Sequence, residues 1–497
     1  MRAQLALRNL SVYQIVIILT VGLLLGASAL FLDPYIFFAL FVGIIYILVV
    51  IKVPELAILG ILFFTSSIID TNSFRTFPIG IGNLSVVDFL VIIPVLVILV
   101  KALVDPNFKF VKTPLNIPFL GFYVVALLST FIGIRQGTVL FNAALDEIRI
   151  VNLYLVFFMT INLVRDEKRL RRLLKGFIFL SFAISVAMAI QYILGDKVPI
   201  LPGRVEELIL TGENTSTIRV LPPGQSIVML GFVTLLIQLI IDKNTRITFI
   251  KLVQILVIVF AVLLTFNRSF WVSIGIALVL VFFLIQLPNR VRFISIVLGT
   301  ILIAAILIPT FSALSPQFNA FVDSSYVRMQ TIINPDTVNE PSLQYRVEEN
   351  AYALPQIAAH PLIGMGLGAK YRPLDRRLDF PTQLDGRMYI HNGHYWLLLK
   401  TGFIGYSLFM LSVAIFLARS FQTWRKIPDP FMRGFILAFA ATMCGLLITA
   451  FVNPYFRNTY WAPVFGIMFA TVEVALNNKK DQPQVLVSQE LQVGKSS

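Results

Sequence analysis

Cysteine is nearly absent from this sequence. Cys444 is the only one and lies inside an apolar run, which excludes an intrachain disulfide and a thiolate metal cluster. Histidine is almost as scarce: only His360, His391 and His394 occur. Charge is scarce too, at 13% of 497 residues, where a soluble domain carries about 25%. With 57% hydrophobic residues and a mean hydropathy of +0.84, the fold class is an all-α polytopic membrane protein. The formal net charge of +14 would indicate a nucleic-acid surface only if the cations clustered on a soluble face. They fall instead in short loops between apolar runs, so nucleic acid is not an expected partner. No internal repeat and no low-complexity core are evident.

The apolar runs set the organisation. A spanning helix needs ~20 mainly apolar residues. Runs near 12–31, 34–51, 54–69, 86–104, 115–133, 147–164, 173–194, 221–241, 249–266, 269–287, 292–309, 396–418, 434–452 and 459–476 predict about fourteen spans, with a range of roughly twelve to fourteen. The first run is long for a secretory leader and is followed by Asp33-Pro34 rather than a small-x-small cleavage site, so it reads as a retained span.

Lysine and arginine alternate across successive loops. Lys52, Lys101, Arg165, Arg172, Lys175, Arg290, Arg425 and Lys479 share one side, while the short loops of the other hold far fewer cations. By the positive-inside rule both termini are cytoplasmic. The division expected is 1–309, an N-terminal transmembrane bundle of about eleven spans; 310–390, a large extracytoplasmic loop; 391–476, C-terminal transmembrane helices; and 477–497, a polar disordered cytoplasmic tail. The loop is too long to be a simple connector. Within it, Pro341 and Ser342 predict a helix through Arg346, Glu349 and Asn350 toward Pro355. A second polar outer segment runs from Gly195 to Val220.

Arginines on the outer side need a reason, since topology alone favours keeping them inside. Arg219 lies just before a span, Arg268 in a minimal turn and Arg346 on the predicted loop helix; Arg328, Lys370, Arg372, Arg376, Arg377 and Arg387 are further loop charges. A guanidinium fork matches two phosphate oxygens, so these residues suit a lipid-linked pyrophosphate. Equally, they suit ordinary interfacial contact with anionic lipid. For Arg268 the second reading is weaker, because a cation between two tightly joined apolar helices is costly without a partner.

All three histidines fall in the large loop or at its end, and imidazole is suited to proton transfer near neutral pH. His391-x-x-His394 has a spacing that metal sites use, but no Asp, Glu or Cys nearby in sequence completes a ligand set, so no metal is expected. Gly364-x-Gly366-x-Gly368 makes turns more readily than it binds a dinucleotide, because no parallel strand precedes it.

Three motifs in order carry a family resemblance. Thr265-Phe266-Asn267-Arg268-Ser269 stands at the outer end of a span, with Asn-Arg-Ser in place of the common Ser-Arg-Gly. Arg346, Glu349 and Asn350 are followed by Ala359-His360-Pro361-Leu362-Ile363-Gly364-Met365-Gly366-Leu367-Gly368. His391-Asn392 then precedes Gly402-Phe403-Ile404-Gly405. Together, over roughly 210–420, these resemble the O-antigen ligase and Wzy-type polymerase superfamily.

The resemblance implies a GT-C-like membrane glycosyltransferase of the bacterial plasma membrane, with its active site on the periplasmic or extracellular side. The donor would be a polyprenyl (undecaprenyl) pyrophosphate-linked glycan; the acceptor would be a lipid or glycan, with membrane lipids as surroundings. His391 would be catalytic, orienting or deprotonating the acceptor hydroxyl or touching the pyrophosphate itself. Arg268, Arg346 and Arg219 would bind pyrophosphate, with Asn392 orienting and Gly402 and Gly405 allowing close packing of a broken helix. No cofactor is implied. A ligase and a polymerase differ only in acceptor and stay open alternatives. A carrier for lipid-linked sugars is the rival of another class, and its mark would be paired ionisable residues at mid-membrane depth. Asp88, Asp146, Glu147 and Glu473 read instead as lying near span ends.

Overall fold

The structure is a computed structural model. It describes residues 34–493 apart from 67, 70–73, 75, 79–82, 199, 202, 211–212, 243–248, 335–340 and 375–385. The first predicted span, Arg376 and Arg377 lie outside the described residues.

The chain is mostly helical. Helices α1 (Pro34–Lys52) and α2 (Pro54–Thr65) meet at Val53, where Pro54 cannot continue the preceding helix. Helix α3 (Val86–Val104) opens on a capping box in which Ser85 and Asp88 satisfy each other's backbone. It is followed by α4 (Asn116–Arg135), α5 (Phe141–Leu153), α6 (Val156–Leu163) and α7 (Glu167–Leu194). Beyond a hairpin come α8 (Gln225–Ile241), α9 (Phe249–Leu264), α10 (Arg268–Leu284), α11 (Leu287–Leu314), α12 (Pro316–Ile333) and α13 (Pro341–Ala359). The last helices are α14 (Gly393–Thr423), α15 (Pro430–Thr449) and α16 (Ala462–Val493).

Among the described residues six helices are long and apolar enough to cross a membrane, and six shorter apolar ones accompany them. This is consistent with a helical membrane protein. On α11 none of the apolar window is buried, so the helix presents its side chains to the surroundings.

Four local outcomes differ from the sequence expectation. The run 147–164 is two helices, because Arg149 on the polar α5 is drawn to Asp88 at 3.2 Å and Asp146 at 2.9 Å. The chain then turns at Tyr154, whose phenol donates to the Phe456 carbonyl at 2.9 Å in the core. The fold is not purely helical: β1 (Phe77–Pro78) pairs with β2 (Asn83–Leu84), and β3 (Arg204–Leu210) pairs antiparallel with β4 (Glu213–Leu221). The second hairpin occupies the segment read as a polar connector and rests on α12 through Thr217 and Ser324, 2.8 Å apart. The large loop contains α12 as well as the predicted helix near 341–355. Finally, the backbone continues helical beyond Asn477 to Val493.

Aromatic side chains join the early and late helices. Phe119 on α4 meets Phe157 on α6 at 5.2 Å and Phe469 on α16 at 5.7 Å, while Phe122 meets Phe409 on α14 at 5.0 Å. Such pairs contribute roughly 0.5–1.5 kcal/mol each beyond area burial. Elsewhere small residues set the spacing: a side chain at Gly445 on α15 would run into the Ser273 backbone of α10. That close crossing places the first turn of α10 beside the segment after α15, where the candidate site lies.

Candidate active site

Helix α14 is broken. Gly402 has φ 61° and ψ −167°, a conformation open in practice to glycine alone. A short half-helix from Gly393 to Thr401 therefore ends inside the bundle with unsatisfied carbonyls, and the loop after α13 supplies the donors. Met365 N–H donates to Leu399 O at 2.7 Å and Gly366 N–H to Lys400 O at 3.1 Å. In return Phe403 N–H donates to Pro361 O at 2.7 Å and Ile404 N–H to Leu362 O at 3.1 Å. The glycine run 364–368 thus caps a broken helix. Gly364 and Gly366 have φ of 72° and 89° and sit so close to neighbouring backbone that a side chain at either would collide.

The other end of the half-helix carries the histidine. Asn392 caps it, its Oδ1 accepting from the N–H groups of His394 and Tyr395, both at 3.1 Å. His391 immediately precedes the cap. Its backbone N–H donates to Glu349 Oε2 at 2.9 Å, and its Nδ1 lies 2.9 and 3.1 Å from the two oxygens of that carboxylate. An ionised carboxylate only accepts, so beside it Nδ1 is the donor, and in the neutral tautomer that matches this contact the lone pair is on Nε2. The Glu349 side chain is 5% exposed and the His391 side chain 33%: the orienting group is buried and the imidazole is reachable. His394 points the other way, with Nε2 2.9 Å from the Leu447 carbonyl inside the bundle.

Arg346 lies one turn before Glu349 on α13 and is near Tyr455, in the segment joining α15 to α16. Burial pushes the Tyr455 phenol well up, against smaller opposing effects of Thr449, Ser273 and Arg346. Tyr455 also packs at 6.1 Å from Phe270 in the first turn of α10, two residues beyond Arg268. Arg268 Nη1 donates to Thr331 Oγ1 at 3.2 Å, Arg219 Nε to Thr265 O at 2.9 Å, and Arg328 Nε to Phe266 O at 3.3 Å. Phe266 is buried with φ 45°, a costly backbone state for a non-glycine residue. Three guanidiniums thus gather at the tight turn between α9 and α10. The structure groups the expected residues as two neighbouring sets, Arg346 with His391 and Arg219 with Arg268, linked through Phe270 and Tyr455. Arg328, read from sequence as a loop charge, joins the second set, and Glu349 joins the first.

Behind the histidine lies a charged cluster that the span-end reading of Glu147 missed. Glu147 is buried and accepts from Gly368 N–H at 2.6 Å and Trp396 Nε1 at 3.3 Å; Lys400 Nζ stands at 3.1 Å and Arg457 Nε at 3.2 Å. Lys400 also donates to Ala369 O at 2.6 Å. The Arg457 guanidinium lies 4.9 Å over the Tyr389 ring, which meets the His391 ring edge-on at 4.7 Å. Glu147 therefore fastens the glycine loop, the half-helix and the segment after α15 to one point. Sequence separations of roughly 250–310 residues between Glu147 and its basic partners hide this arrangement from any local pattern.

Among the described residues no group of three His, Cys, Asp or Glu side chains suited to a metal occurs. No curated protein matches the chain. The family model described as O-antigen ligase matches residues 253–410, a stretch that contains Arg268, Arg346, Glu349, His391, Asn392, Gly402 and Gly405 but not Arg219, Glu147 or Arg457. Over that segment the chain is similar to the O-antigen ligase family, in agreement with the motifs read from the sequence.

Proposed function

We propose that this chain transfers a glycan from a polyprenyl pyrophosphate to a hydroxyl of an acceptor sugar at the outer face of the plasma membrane, as an O-antigen ligase does. The observation that carries the reading is the His391–Glu349 pair: a buried carboxylate holds Nδ1–H and leaves Nε2 of a reachable imidazole as the base. In this reaction the bond from the anomeric carbon to the pyrophosphate oxygen breaks and a bond to the acceptor oxygen forms. The acceptor proton passes to His391 Nε2, and the pyrophosphate leaves with the electron pair. Arg268 and Arg346 neutralise the charge that develops on the leaving group, with Arg219 supporting the same turn, so arginine does the work a metal does in other transferases. Asn392 sets the position of His391 by capping the helix that follows.

The proposed topology has both termini cytoplasmic, the loop 310–390 outside and about fourteen spans in a GT-C-like arrangement. Buried paired charges would favour a carrier, and Glu147 with Lys400 and Arg457 is such a group. Its bonds are directed at fixed backbone and side-chain partners, which suits a structural pin better than a site that must load and release an ion.

Reconstitution of the purified chain with a lipid-linked oligosaccharide and candidate acceptors tests the proposal. Single transfer onto a lipid-anchored core sugar is expected. A growing lipid-linked chain would make it a polymerase, and donor movement between leaflets without a new glycosidic bond would overturn the enzyme reading.

A further inference from the structure

A cavity of about 480 Å³ opens at the far ends of the helices that carry the site. It lies between α7, α8, α9 and the start of α15. Helix α8 begins beside Tyr460, whose carbonyl accepts from Ser226 at 3.0 Å, and reaches the cavity at Gln238, Leu239 and Asp242. Helix α15 begins there at Pro430 and runs 20 residues to Thr449, about 30 Å away beside Tyr455. The cavity is therefore separate from the candidate active site and on the opposite face.

Its chemistry is mixed in a specific way. Arg171 is fixed by ion pairs to Asp429 and Glu167 and by the Phe431 ring, 5.3 Å below its guanidinium. Lys175 on α7 and Lys251 on α9 are exposed lining residues of two helices that pack together. The Nε2 of Gln238 is buried in the wall and has no hydrogen-bond partner among the described residues, a vacancy that costs stability unless a ligand fills it. Ile178, Leu239 and Ile255 complete the wall. Beside them Phe179, Leu252 and Leu256 are 69%, 44% and 54% exposed, an apolar surface that suits lipid chains. A space that would hold several waters, with two lysines, an amide donor and carboxylates at one end and an apolar flank at the other, matches a lipid headgroup and not a soluble metabolite.

We infer that this cavity binds the headgroup of an anionic phospholipid, a phosphodiester of the phosphatidylglycerol type, from the leaflet opposite the candidate active site. The phosphate lies against Lys175, Lys251 and Gln238, and Asp242 and Asp429 accept from the glycerol hydroxyls. The acyl chains follow the flank formed by Phe179, Leu252 and Leu256. The inference is independent of the glycosyl-transfer reading.

Native mass spectrometry of the full chain in detergent, with phosphatidylglycerol and phosphatidylcholine added in equal amounts, tests it. The unaltered chain should retain phosphatidylglycerol preferentially. The Lys175→Ala/Lys251→Ala double variant, altered only at exposed positions, should retain roughly tenfold less, and Gln238→Leu should also retain less. A Lys109→Ala/Lys168→Ala double variant loses the same charge on the same face outside the cavity and should change retention less than about twofold. Equal loss in the two double variants would reduce the effect to bulk surface charge and overturn the site. So would complete displacement of phosphatidylglycerol from the unaltered chain by added soluble glycerol phosphate, which would assign the cavity to a soluble anion.

Discussion

Replacing Glu349 by Gln tests the imidazole directly, because the two side chains have the same shape and differ in one proton-bearing group. Glu349 Oε2 accepts from both the backbone N–H and Nδ1 of His391, while Oε1 lies 3.1 Å from the same Nδ1. In the variant one of these positions must become an NH₂ that faces a donor. Either the amide oxygen takes the Oε2 position and holds both donors as a neutral, weaker acceptor with the NH₂ crowding Nδ1, or the ring moves its proton to Nε2, which removes the lone pair from the side where the acceptor hydroxyl is taken to sit. A hydrogen bond to a charged group contributes ~1.5–3 kcal/mol, or roughly 10- to 100-fold in rate, and loss of the tautomer adds to this. Glu349→Gln should therefore lower turnover about 100-fold or more, approaching the ~10²–10⁴-fold loss expected for His391→Ala. The double variant should be no worse than His391→Ala alone, since both changes remove the same base. The assay is transfer from a defined pyrophosphate-linked donor, normalised to protein in the membrane. Near-normal activity of Glu349→Gln beside an inactive His391→Ala, or losses that multiply in the double variant, would refute the base assignment.

Ala at Arg268 or Arg346 should cut transfer about 10²–10³-fold, with Lys restoring only part because it loses the fork of donors; full activity of both lysine variants in the same assay would remove the clamp. Gly402→Ala should cost about 3 kcal/mol or more, because the backbone is left-handed and the added carbon is driven into the Leu362 carbonyl, and it should show as loss of folded protein by fluorescence-detected gel filtration. Glu147→Gln leaves Lys400 and Arg457 buried together and should destabilise by roughly 3–5 kcal/mol, with Glu147→Gln/Lys400→Met milder than Glu147→Gln alone in a thermal melt. On a Cys444→Ser background, Gln317→Cys should react with an impermeant thiol reagent in intact cells and Lys168→Cys only after lysis; the reverse pattern would invert the topology.

Much of the helical plan was legible because a spanning helix writes itself as a local apolar run with basic residues at one end, as Glu167–Leu194 does. The boundary at His391-Asn392 was legible because polar chain meets apolar chain there, and Asn392 is the cap that such a boundary needs. Other features rest on contacts that no window contains. Glu349 stands 42 residues from His391 and reads alone as one more charge on an amphipathic helix. Glu147 looked like a span-end carboxylate because its partners Lys400 and Arg457 lie in the last third of the chain. The hairpin Arg204–Leu221 was hidden by the prolines and glycines that flank it, Pro202, Gly203, Pro222 and Pro223 among them, although Val205, Thr217 and Val220 are ordinary strand formers. Tyr154 interrupts α5 and α6 through the carbonyl of Phe456, another distant partner.

The Glu147 cluster also fixes an order in time. A ribosome releases Glu147 long before it has made Lys400 or Arg457, so the early helices enter the bilayer with a carboxylate whose counter-charges do not yet exist. The first half of the protein cannot close around that residue until the half-helix 393–401 and the segment after α15 arrive. A chain that stops before Gly393 leaves Glu147 without Lys400 and Arg457, and only a chain translated past Arg457 completes the cluster.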